Sequence, residues 1–284
     1  MIIIADGGST KTNWCLVNDE GKKFYYNTEG YNPYFVSEAY IIQSLKDNMP
    51  ADLPVGQITE VNYYGAGCST DEKREKVERA MSQYFTSAKV NIGHDLLAAA
   101  RALLGHSEGF AAILGTGTNT CIYDGKNVVQ NIDSGAYILG DEGSGCHIGK
   151  KLLTDYLRGY MPEPVRNLFW ETYHLTPDDI NEEVYTKPLA NRFCAGFSKF
   201  VYDNNVHLEY SRNLVRGAFE DFFKNLVTHY PDYQKYTFNC IGSVGYNFRN
   251  VLEELVVENG MVVGNIIRSP IDNLVKFHLE AVSQ

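Results

Sequence analysis

The chain opens with short apolar runs separated by small polar turns. Runs at residues 2–5, 12–17 and 22–27 predict three strands, because each is short and is bounded by Gly, Asn or Asp. Tight turns join the three runs, so the predicted strands form an antiparallel meander.

The same order of strands and turns returns at residue 110. Strands are predicted at 110–114, 120–123 and 127–132, with a small polar turn at 115–119 and a second turn at 124–126. Two copies of one supersecondary unit indicate a duplicated protein with two domains.

Between the copies, helical and strand patterns alternate, as is typical of an α/β domain with parallel strand pairing. The elements predicted there are helix 37–49, strand 58–64, helix 71–85, strand 88–92 and helix 95–104. After residue 148 the patterns are mainly helical. The elements predicted there are helices 150–160, 163–173, 178–185, 188–202, 210–229 and 246–258, with strands 237–241 and 261–267.

A length of 284 residues is enough for two compact cores. We predict a first domain at residues 1–108 and a second at 109–284. Ser269 and Pro270 supply an N-cap and a first-turn proline for a closing helix at 270–283. We expect that helix to pack back on the first domain.

Charge and cysteine usage narrow the class of protein. The formal net charge of −10 argues against nucleic acid or an anionic membrane as a partner. The chain shows no basic leader and no apolar run of the ~18 residues that a spanning helix needs. Of the six scattered cysteines, Cys15, Cys121 and Cys240 lie in apolar strands, and Cys68 and Cys146 are expected in loops. We therefore expect a cytoplasmic protein in a reducing compartment.

Two turns have the composition of phosphate-binding loops. Glycines let the backbone approach a phosphate closely, and hydroxyls and N–H groups donate to its oxygens. The first turn consists of Asp6, Gly7, Gly8, Ser9, Thr10 and Lys11, and the second of Gly115, Thr116, Gly117, Thr118 and Asn119. Each alone fits an ordinary hairpin turn, but a pair of such turns favours a polyphosphate. Neither segment is a Walker A loop.

These motifs resemble those of the N-acetylglucosamine kinases and their relatives, the ATPases named after subunits of bacterial benzoyl-CoA reductase. The segment from Leu139 to Gly145 resembles the G-D-E-G-S signature of the amino-sugar kinases, and the match extends to about residue 250. The resemblance implies the actin/Hsp70/hexokinase superfold: two ribonuclease-H-like α/β domains around a central cleft, each beginning with an antiparallel hairpin.

The resemblance also implies catalytic and metal-binding roles. Asp95 matches the general base that takes a proton from the sugar hydroxyl, although an Asp opening a helix also fits a plain N-cap. Asp6 matches a ligand of Mg²⁺, with a turn cap as its alternative. His94 is interpreted as structural.

The binding residues follow from the same resemblance. ATP would contact Gly7, Gly8, Ser9, Thr10, Lys11, Gly115, Thr116, Gly117, Ala195, Gly242 and Ser243. The sugar would contact Asn32, Tyr34, Thr118, Asn119, Ser134, Gly135, Ala136 and Asp141. Lys11 also fits a solvated strand end, Asn32 a turn, and Asp141 a cap for the helix after it. The chain lacks the family's small-residue motifs near the adenine, which leaves the adenine contacts after residue 245 unassigned.

The sequence thus predicts ATP- and Mg²⁺-dependent phosphorylation of an N-acetylated amino sugar, N-acetylglucosamine to its 6-phosphate first of all. The alternatives are a kinase for another sugar, such as an N-acetylmuramate derivative or glucose, an ATPase that activates an iron–sulfur enzyme, and a sugar sensor without activity. The expected partners are the amino sugar and ATP, without nucleic acid or membrane. A homodimer is left open.

Overall fold

The computed structural model describes residues 1–8, 10–204 and 206–282. Its strands are β1 (Ile2–Gly7), β2 (Lys11–Val17), β3 (Lys23–Glu29), β4 (Glu60–Gly65), β5 (Lys89–His94), β6 (Glu108–Leu114), β7 (Thr118–Asp124), β8 (Val128–Asn131), β9 (Thr237–Ile241) and β10 (Val262–Ile267). Its helices are α1 (Glu38–Asn48), α2 (Asp71–Tyr84), α3 (Asp95–Leu104), α4 (Ala136–Leu139), α5 (Gly145–Arg158), α6 (Glu163–Tyr173), α7 (Pro177–Tyr185), α8 (Ala190–Asp203), α9 (Leu208–Asn225), α10 (Ser243–Asn247), α11 (Arg249–Glu258) and α12 (Ile271–Val282).

The chain divides into two compact units. Unit 1 comprises Met1–His106, Gly125–Asn127 and the described residues from Pro270 onward. Unit 2 comprises Ser107–Asp124 and Val128–Ser269. The two ends of the chain therefore belong to the same unit.

The two units have the same sheet topology. In unit 1 the strand order is β3-β2-β1-β4-β5, with antiparallel pairing among the first three strands of the chain and parallel pairing of β4 with β1 and of β5 with β4. In unit 2 the order is β10-β9-β6-β7-β8, again a meander followed by two parallel strands on its other side. The predicted fold class, with a duplicated α/β unit that begins in an antiparallel hairpin, is confirmed.

Helices cover both faces of the sheet in unit 1. On one face, Ile3, Ala5 and Trp14 pack in a fully buried core with residues of α1 and α2. On the other face, Ile4 and Tyr64 pack with residues of α3 and α12. Successive residues of β1 thus point to opposite cores, which explains why this strand is an uninterrupted apolar run.

Unit 2 has one large core, built mainly from the helices after residue 144. Aromatic residues dominate it: Phe169 is fully buried and stacks on Phe197, and Phe223 stacks on Phe238. This core packs against the sheet of unit 2. The turns at the ends of its strands are therefore supported by packed helices.

Three element predictions after residue 110 need correction. Thr118 and Asn119 belong to strand β7 and not to the turn. The segment after Gly135, for which no element was predicted, forms the short helix α4. The single helix predicted at 246–258 is two helices, α10 and α11, because the backbone leaves helical geometry at Phe248. The helix predicted from residue 150 already begins at Gly145, capped by Ser144.

The cysteines are reduced and buried. Cys146 lies in α5 and not in a loop as expected from the sequence, and Cys68 is buried in the turn after β4. No group of three or more His, Cys, Asp or Glu side chains with metal-site geometry occurs among the described residues. Within residues 1–8, 10–204 and 206–282, every helix is too short or too polar to cross a bilayer.

Candidate active site

In unit 1 the candidate residues gather at the carboxyl edge of the sheet. Strands β1, β4 and β5 run parallel, so their ends at Gly7, Gly65 and His94 lie at one edge. Asp6 is the penultimate residue of β1, and Asp95 opens α3 directly after β5. The backbone N–H of Ala66 donates to the carbonyl of Gly7 over 2.7 Å, which ties the ends of β1 and β4 together. Ligands of α/β sheets bind at such edges.

The first phosphate turn is a tight connection between β1 and β2. The N–H of Gly8 donates to the carbonyl of Lys11 over 2.9 Å, and the carbonyl of Thr10 accepts from the N–H of Gly30. Gly7 has to be glycine, because a Cβ there would lie 2.2 Å from the hydroxyl of Tyr63. Thr10 and Lys11 are exposed, which suits residues that meet a ligand. Ser9, also predicted to bind ATP, lies outside the described residues.

Both carboxylates of this edge have raised pKa values. Burial and the charge of Asp95 raise the pKa of Asp6 to about 7, against smaller opposing effects of Asn13 and Lys11. Burial raises the pKa of Asp95 to about 6, although its backbone hydrogen bonds oppose the shift. The pKa of Asp95 thus lies close to neutral pH, where the carboxylate is mostly ionised and still accepts protons efficiently.

The capping role at the start of α3 belongs to the neighbour of Asp95. His94 is the N-cap, and its Nδ1 accepts a hydrogen bond from the N–H of Leu97 over 3.1 Å. Asp95 is the first helical residue and accepts from the N–H of Leu96 over 2.9 Å. The N-cap alternative for Asp95 is therefore wrong, and the helix does not need its carboxylate as a cap.

Asn32 lies beside the same edge, and Tyr34 follows it. The side chain of Asn32 contacts Gly67, just past β4, where a Cβ would lie 2.3 Å from the Asn32 Oδ1. That Oδ1 accepts from the N–H of Tyr34 over 3.0 Å, so Asn32 also forms the turn that the sequence allowed as its alternative. Tyr34 is 57% exposed, with the Lys73 ammonium 4.5 Å from its ring centroid.

In unit 2, the turn at Gly115, Thr116 and Gly117 follows β6 and is held by α5. The N–H groups of Gly145 and Cys146, at the start of α5, donate to the carbonyls of Gly115 and Thr116. A Cβ on Gly115 would meet no protein atom within 4 Å. The side of Gly115 on which a Cβ would lie therefore borders open space.

Thr118 and Asp141 bind each other at the start of β7. The N–H of Thr118 donates to Asp141 Oδ1 over 3.0 Å, and the Thr118 hydroxyl donates to the carbonyl of Glu142 over 2.7 Å. Burial raises the pKa of Asp141, and the hydrogen bonds from Thr118 and Ser134 oppose the shift. Asn119 accepts from Asn131 and from the N–H of Thr120. These polar groups thus already have protein partners that hold the turn.

The predicted sugar loop at Ser134, Gly135 and Ala136 is strained and closed on itself. Ala136 and Asp141 have positive φ angles of 52° and 56°, which non-glycine residues seldom adopt. The N–H of Asp141 donates to the carbonyl of Ser134 over 2.8 Å. The loop presents Leu139 to solvent at 86% exposure. Backbone strain of this kind tends to persist at functional sites.

The remaining predicted nucleotide residues flank the turn of unit 2. Gly242 packs tightly against the end of β6. A Cβ on Gly242 would lie 2.3 Å from the carbonyl oxygen of Leu114. Ser243 follows it and is exposed. Ala195 lies in α8, where its carbonyl accepts from the hydroxyl of Ser198, and that hydroxyl lies 3.1 Å from the position of a Cβ on Gly145.

That Ser144 and His94 are helix caps was not foreseen from the sequence, although His94 was interpreted as structural. Ser144 is fully buried and caps α5 through the N–H of His147, and His94 caps α3. The Ser144 cap was visible in the sequence as a serine before a helical pattern. The His94 cap was not, because histidine is not among the preferred N-cap residues.

Comparison with known structures identifies the family. The chain is 38% identical to a protein of Porphyromonas gingivalis provisionally named N-acetylglucosamine kinase, with 99% of each chain covered and a TM-score of 0.92. The chain belongs to the N-acetylglucosamine kinase family. The family membership predicted from the motifs is confirmed.

More distant members of the superfold share the fold. A provisionally named N-acetylglucosamine kinase of Chromobacterium violaceum is 17% identical, with 97% of this chain and 98% of that chain covered and a TM-score of 0.70. A glucokinase of the ROK family from Streptomyces griseus, solved with glucose and AMPPNP, is 14% identical, with 100% of this chain and 99% of that chain covered and a TM-score of 0.55. No family model and no curated protein matches this member of the kinase family.

Proposed function

We propose that the chain transfers the γ-phosphoryl group of ATP to a hydroxyl of an N-acetylated amino sugar, with N-acetylglucosamine as the first candidate and its 6-phosphate as the product. The observation that carries the proposal is Asp95, a partly buried carboxylate at the carboxyl edge of the sheet of unit 1, in a helix that is capped by His94. Membership of the N-acetylglucosamine kinase family supports the same reaction.

In the proposed reaction Asp95 acts as the general base. The sugar hydroxyl loses its proton to the Asp95 carboxylate while its oxygen forms a bond to the γ-phosphorus. The bond from that phosphorus to the β,γ-bridging oxygen breaks, and ADP leaves with the electron pair. A pKa of about 6 leaves most of Asp95 ionised at neutral pH, as a base requires.

Asp6 is the proposed ligand of Mg²⁺, directly or through a water molecule. Mg²⁺ in kinases is usually held by one or two carboxylates together with the substrate phosphates, and it neutralises charge on those phosphates. The donor set fits, because Asp6 is a carboxylate beside the exposed first turn and a second carboxylate, Asp95, is near enough to raise its pKa to about 7. Bound Mg²⁺ would favour the ionised form of Asp6.

The binding roles divide between the two units. We assign the nucleotide phosphates to the turns around Gly8 and Gly115, and the sugar to Asn32 and the loop around Gly135. Asn32 supports this role with its Nδ2, which has no hydrogen-bond partner in the described part of the chain. We assign Asp141 to the sugar site as well, where its hydrogen bond from the N–H of Thr118 positions the residues beside the sugar.

The state of the cysteines bears on the compartment and on the iron–sulfur alternative. We infer a cytoplasmic enzyme, because six buried free thiols suit a reducing compartment. The alternative of an iron–sulfur activator would need exposed thiols, and every cysteine of this chain is buried.

A coupled assay of ADP formation over about ten sugars tests the proposal. We expect turnover with N-acetylglucosamine to exceed turnover with glucose, N-acetylmannosamine and N-acetylmuramate, and to require Mg²⁺. Product analysis should place the phosphate on the 6-hydroxyl. ADP formation that no sugar stimulates would contradict the kinase, and a preference for glucose would move the assignment to another sugar.

A further inference from the structure

The loop proposed to bind the sugar, residues 134–140, buries little apolar surface at its tip. Ile138 and Leu139 are 73% and 86% exposed. Tyr137, just before this tip, packs against the core of unit 2. Hydrogen bonds within the loop fix its shape, but its position in the unit depends on contacts with neighbouring elements.

Lys150 of α5 provides such a contact. Its ammonium donates a hydrogen bond to the backbone carbonyl of Tyr137. In an α-helix the Cα–Cβ bond tilts toward the N-terminus, so a long side chain covers the turn before its own residue. Lys150 therefore reaches back toward the start of α5, which follows the loop closely in the chain.

The charge of Lys150 also acts on the residue that closes the loop. Burial raises the pKa of Asp141, and the charge of Lys150 opposes this shift. The N–H of Asp141 donates to the carbonyl of Ser134 over 2.8 Å, which joins the two ends of the loop. One ammonium thus interacts with both the middle of the loop and its closing residue.

Helix α5 holds the second phosphate turn at the same time. Its first two N–H groups donate to the carbonyls of Gly115 and Thr116. Gly149 lets α5 pack tightly on α8, since a Cβ there would lie 1.8 Å from a backbone carbonyl oxygen of that helix. A single well-packed helix therefore holds the turn through its backbone and the loop through Lys150.

We propose that Lys150 is a positioning residue for the sugar, which holds the loop at residues 134–140 in its binding conformation and fixes it to the helix that carries the phosphate turn. This inference rests on the proposed kinase function and adds a residue that acts through the Tyr137 carbonyl. Without the ammonium the loop would populate other conformations, and the apparent affinity for the sugar would fall in proportion. The turn at Gly115 would keep its backbone partners, so nucleotide binding should stay the same.

Steady-state kinetics of Lys150→Met with N-acetylglucosamine and MgATP tests this role. Methionine keeps an unbranched side chain and a good helix propensity, but it has no charge and no donor. The KM for the sugar should rise about 10- to 100-fold, the factor expected when a hydrogen bond from a charged donor is lost. The KM for ATP should change less than twofold. Lys150→Arg keeps a charged donor and should bring the KM for the sugar back to within about threefold of the parent.

Lys151→Met is the matched control. Lys151 is the next residue of α5 and is partly buried like Lys150, but its ammonium donates to Asp221 of α9 over 2.8 Å. Its removal should leave both KM values within about twofold of the parent. Urea unfolding checks that both methionine variants fold. If Lys150→Met does not fold, Lys150→Gln, which is shorter and uncharged, gives the same comparison with a smaller expected rise.

The outcomes separate this inference from the function on which it rests. If the parent phosphorylates N-acetylglucosamine and Lys150→Met has the same KM for it, the positioning role is wrong and the kinase stands. An equal rise of both KM values would also overturn the positioning role, because the lysine would then support the whole helix. A parent that phosphorylates no sugar would overturn both proposals.

Discussion

At the scale of single residues, Asp95 is the strongest candidate for a catalytic group. The helix that it opens is capped by His94, and the Asp95 carboxylate accepts from the neighbouring N–H of Leu96. Burial raises its pKa and thereby disfavours its ionised form. A carboxylate with a raised pKa, close to a second carboxylate, is a common mark of an active site.

Replacing Asp95 tests the proposed base directly. Asp95→Asn keeps the shape of the side chain but cannot accept the proton, so kcat should fall about 10²- to 10⁴-fold. The KM values for sugar and ATP should change little, because the loss belongs to the transition state. The measurement is steady-state kinetics with the best sugar of the screen. Turnover within about threefold of the parent would remove Asp95 from catalysis.

The stability of the same variant provides its control. The pKa of Asp95 is raised in the folded state, so above pH 6 its ionised form disfavours folding. Asp95→Asn should therefore match or exceed the stability of the parent, by about 1–2 kcal/mol at pH 8. Urea unfolding in the absence of Mg²⁺ measures this. A strongly destabilised variant would show that the carboxylate supports the fold.

The pH dependence of kcat/KM should report the ionisation of Asp95. As the pH falls through about 6, Asp95 binds a proton and can no longer accept one from the sugar. The value of kcat/KM should then fall by about tenfold per pH unit on the acid side. Intrinsic fluorescence at each pH verifies that the protein stays folded. A flat profile from pH 8 to pH 5 would be incompatible with a base of this pKa.

At the scale of elements, helix α5 connects the core of unit 2 to the turn at Gly115. Its first two N–H groups hold the carbonyls of Gly115 and Thr116, and Gly149 lets it approach α8 so closely that a Cβ there would lie 1.8 Å from the carbonyl of Cys194. The position of the turn therefore depends on the start of this helix. Ser144, its buried cap, fixes that start.

Removing this cap should affect both stability and nucleotide binding. Ser144→Ala should lower the free energy of unfolding by about 1 kcal/mol and raise the KM for ATP, because the N–H groups beside it orient the turn. Thr176→Ala removes the cap of α7, which lies on the surface, and serves as the matched control. It should cost similar stability without changing the KM. Equal KM values in both variants would argue against a role of α5 in positioning the turn.

At the scale of the whole molecule, the end of the chain completes the unit in which the chain begins. Leu274 and Val275 of α12 are fully buried against residues of α3, β1 and β2. The hydroxyl of Tyr64 and Nε2 of His278 are 2.8 Å apart, and Asn273 donates to the carbonyl of Ala102. Unit 1 therefore lacks part of one core until α12 has been synthesised.

Truncating Leu274 tests the importance of this closing helix. Leu274→Ala should destabilise the protein by about 2–5 kcal/mol, the usual range for a leucine removed from a packed core. Lys276→Ala, on the exposed side of the same helix, should change stability by less than about 0.5 kcal/mol. Urea unfolding is monitored in a Trp170→Phe background, in which Trp14 is the remaining tryptophan and its fluorescence reports on unit 1. Equal stability of the two variants would show that α12 is dispensable.

The sequence by itself determined the repeated strand and turn pattern, the order of most elements and the family. These signals are local: apolar periodicity and turn residues act within a few positions, and motifs such as the one from Leu139 to Gly145 can be read directly. Asp95 was also found in this way, as an acid between a strand and a helix.

Only the tertiary structure decided which protein groups the candidate site residues contact. His94 caps α3, which had been the alternative role of Asp95, and Asp141 accepts from the N–H of Thr118 at the start of β7. Arg268 lies beside the ring of Tyr246, which precedes it by 22 positions in the chain. The contact between Arg268 and Tyr246 depends on β9 and β10 being neighbours in the sheet. Strand order is set by packing between distant segments, and no local pattern in the sequence encodes it.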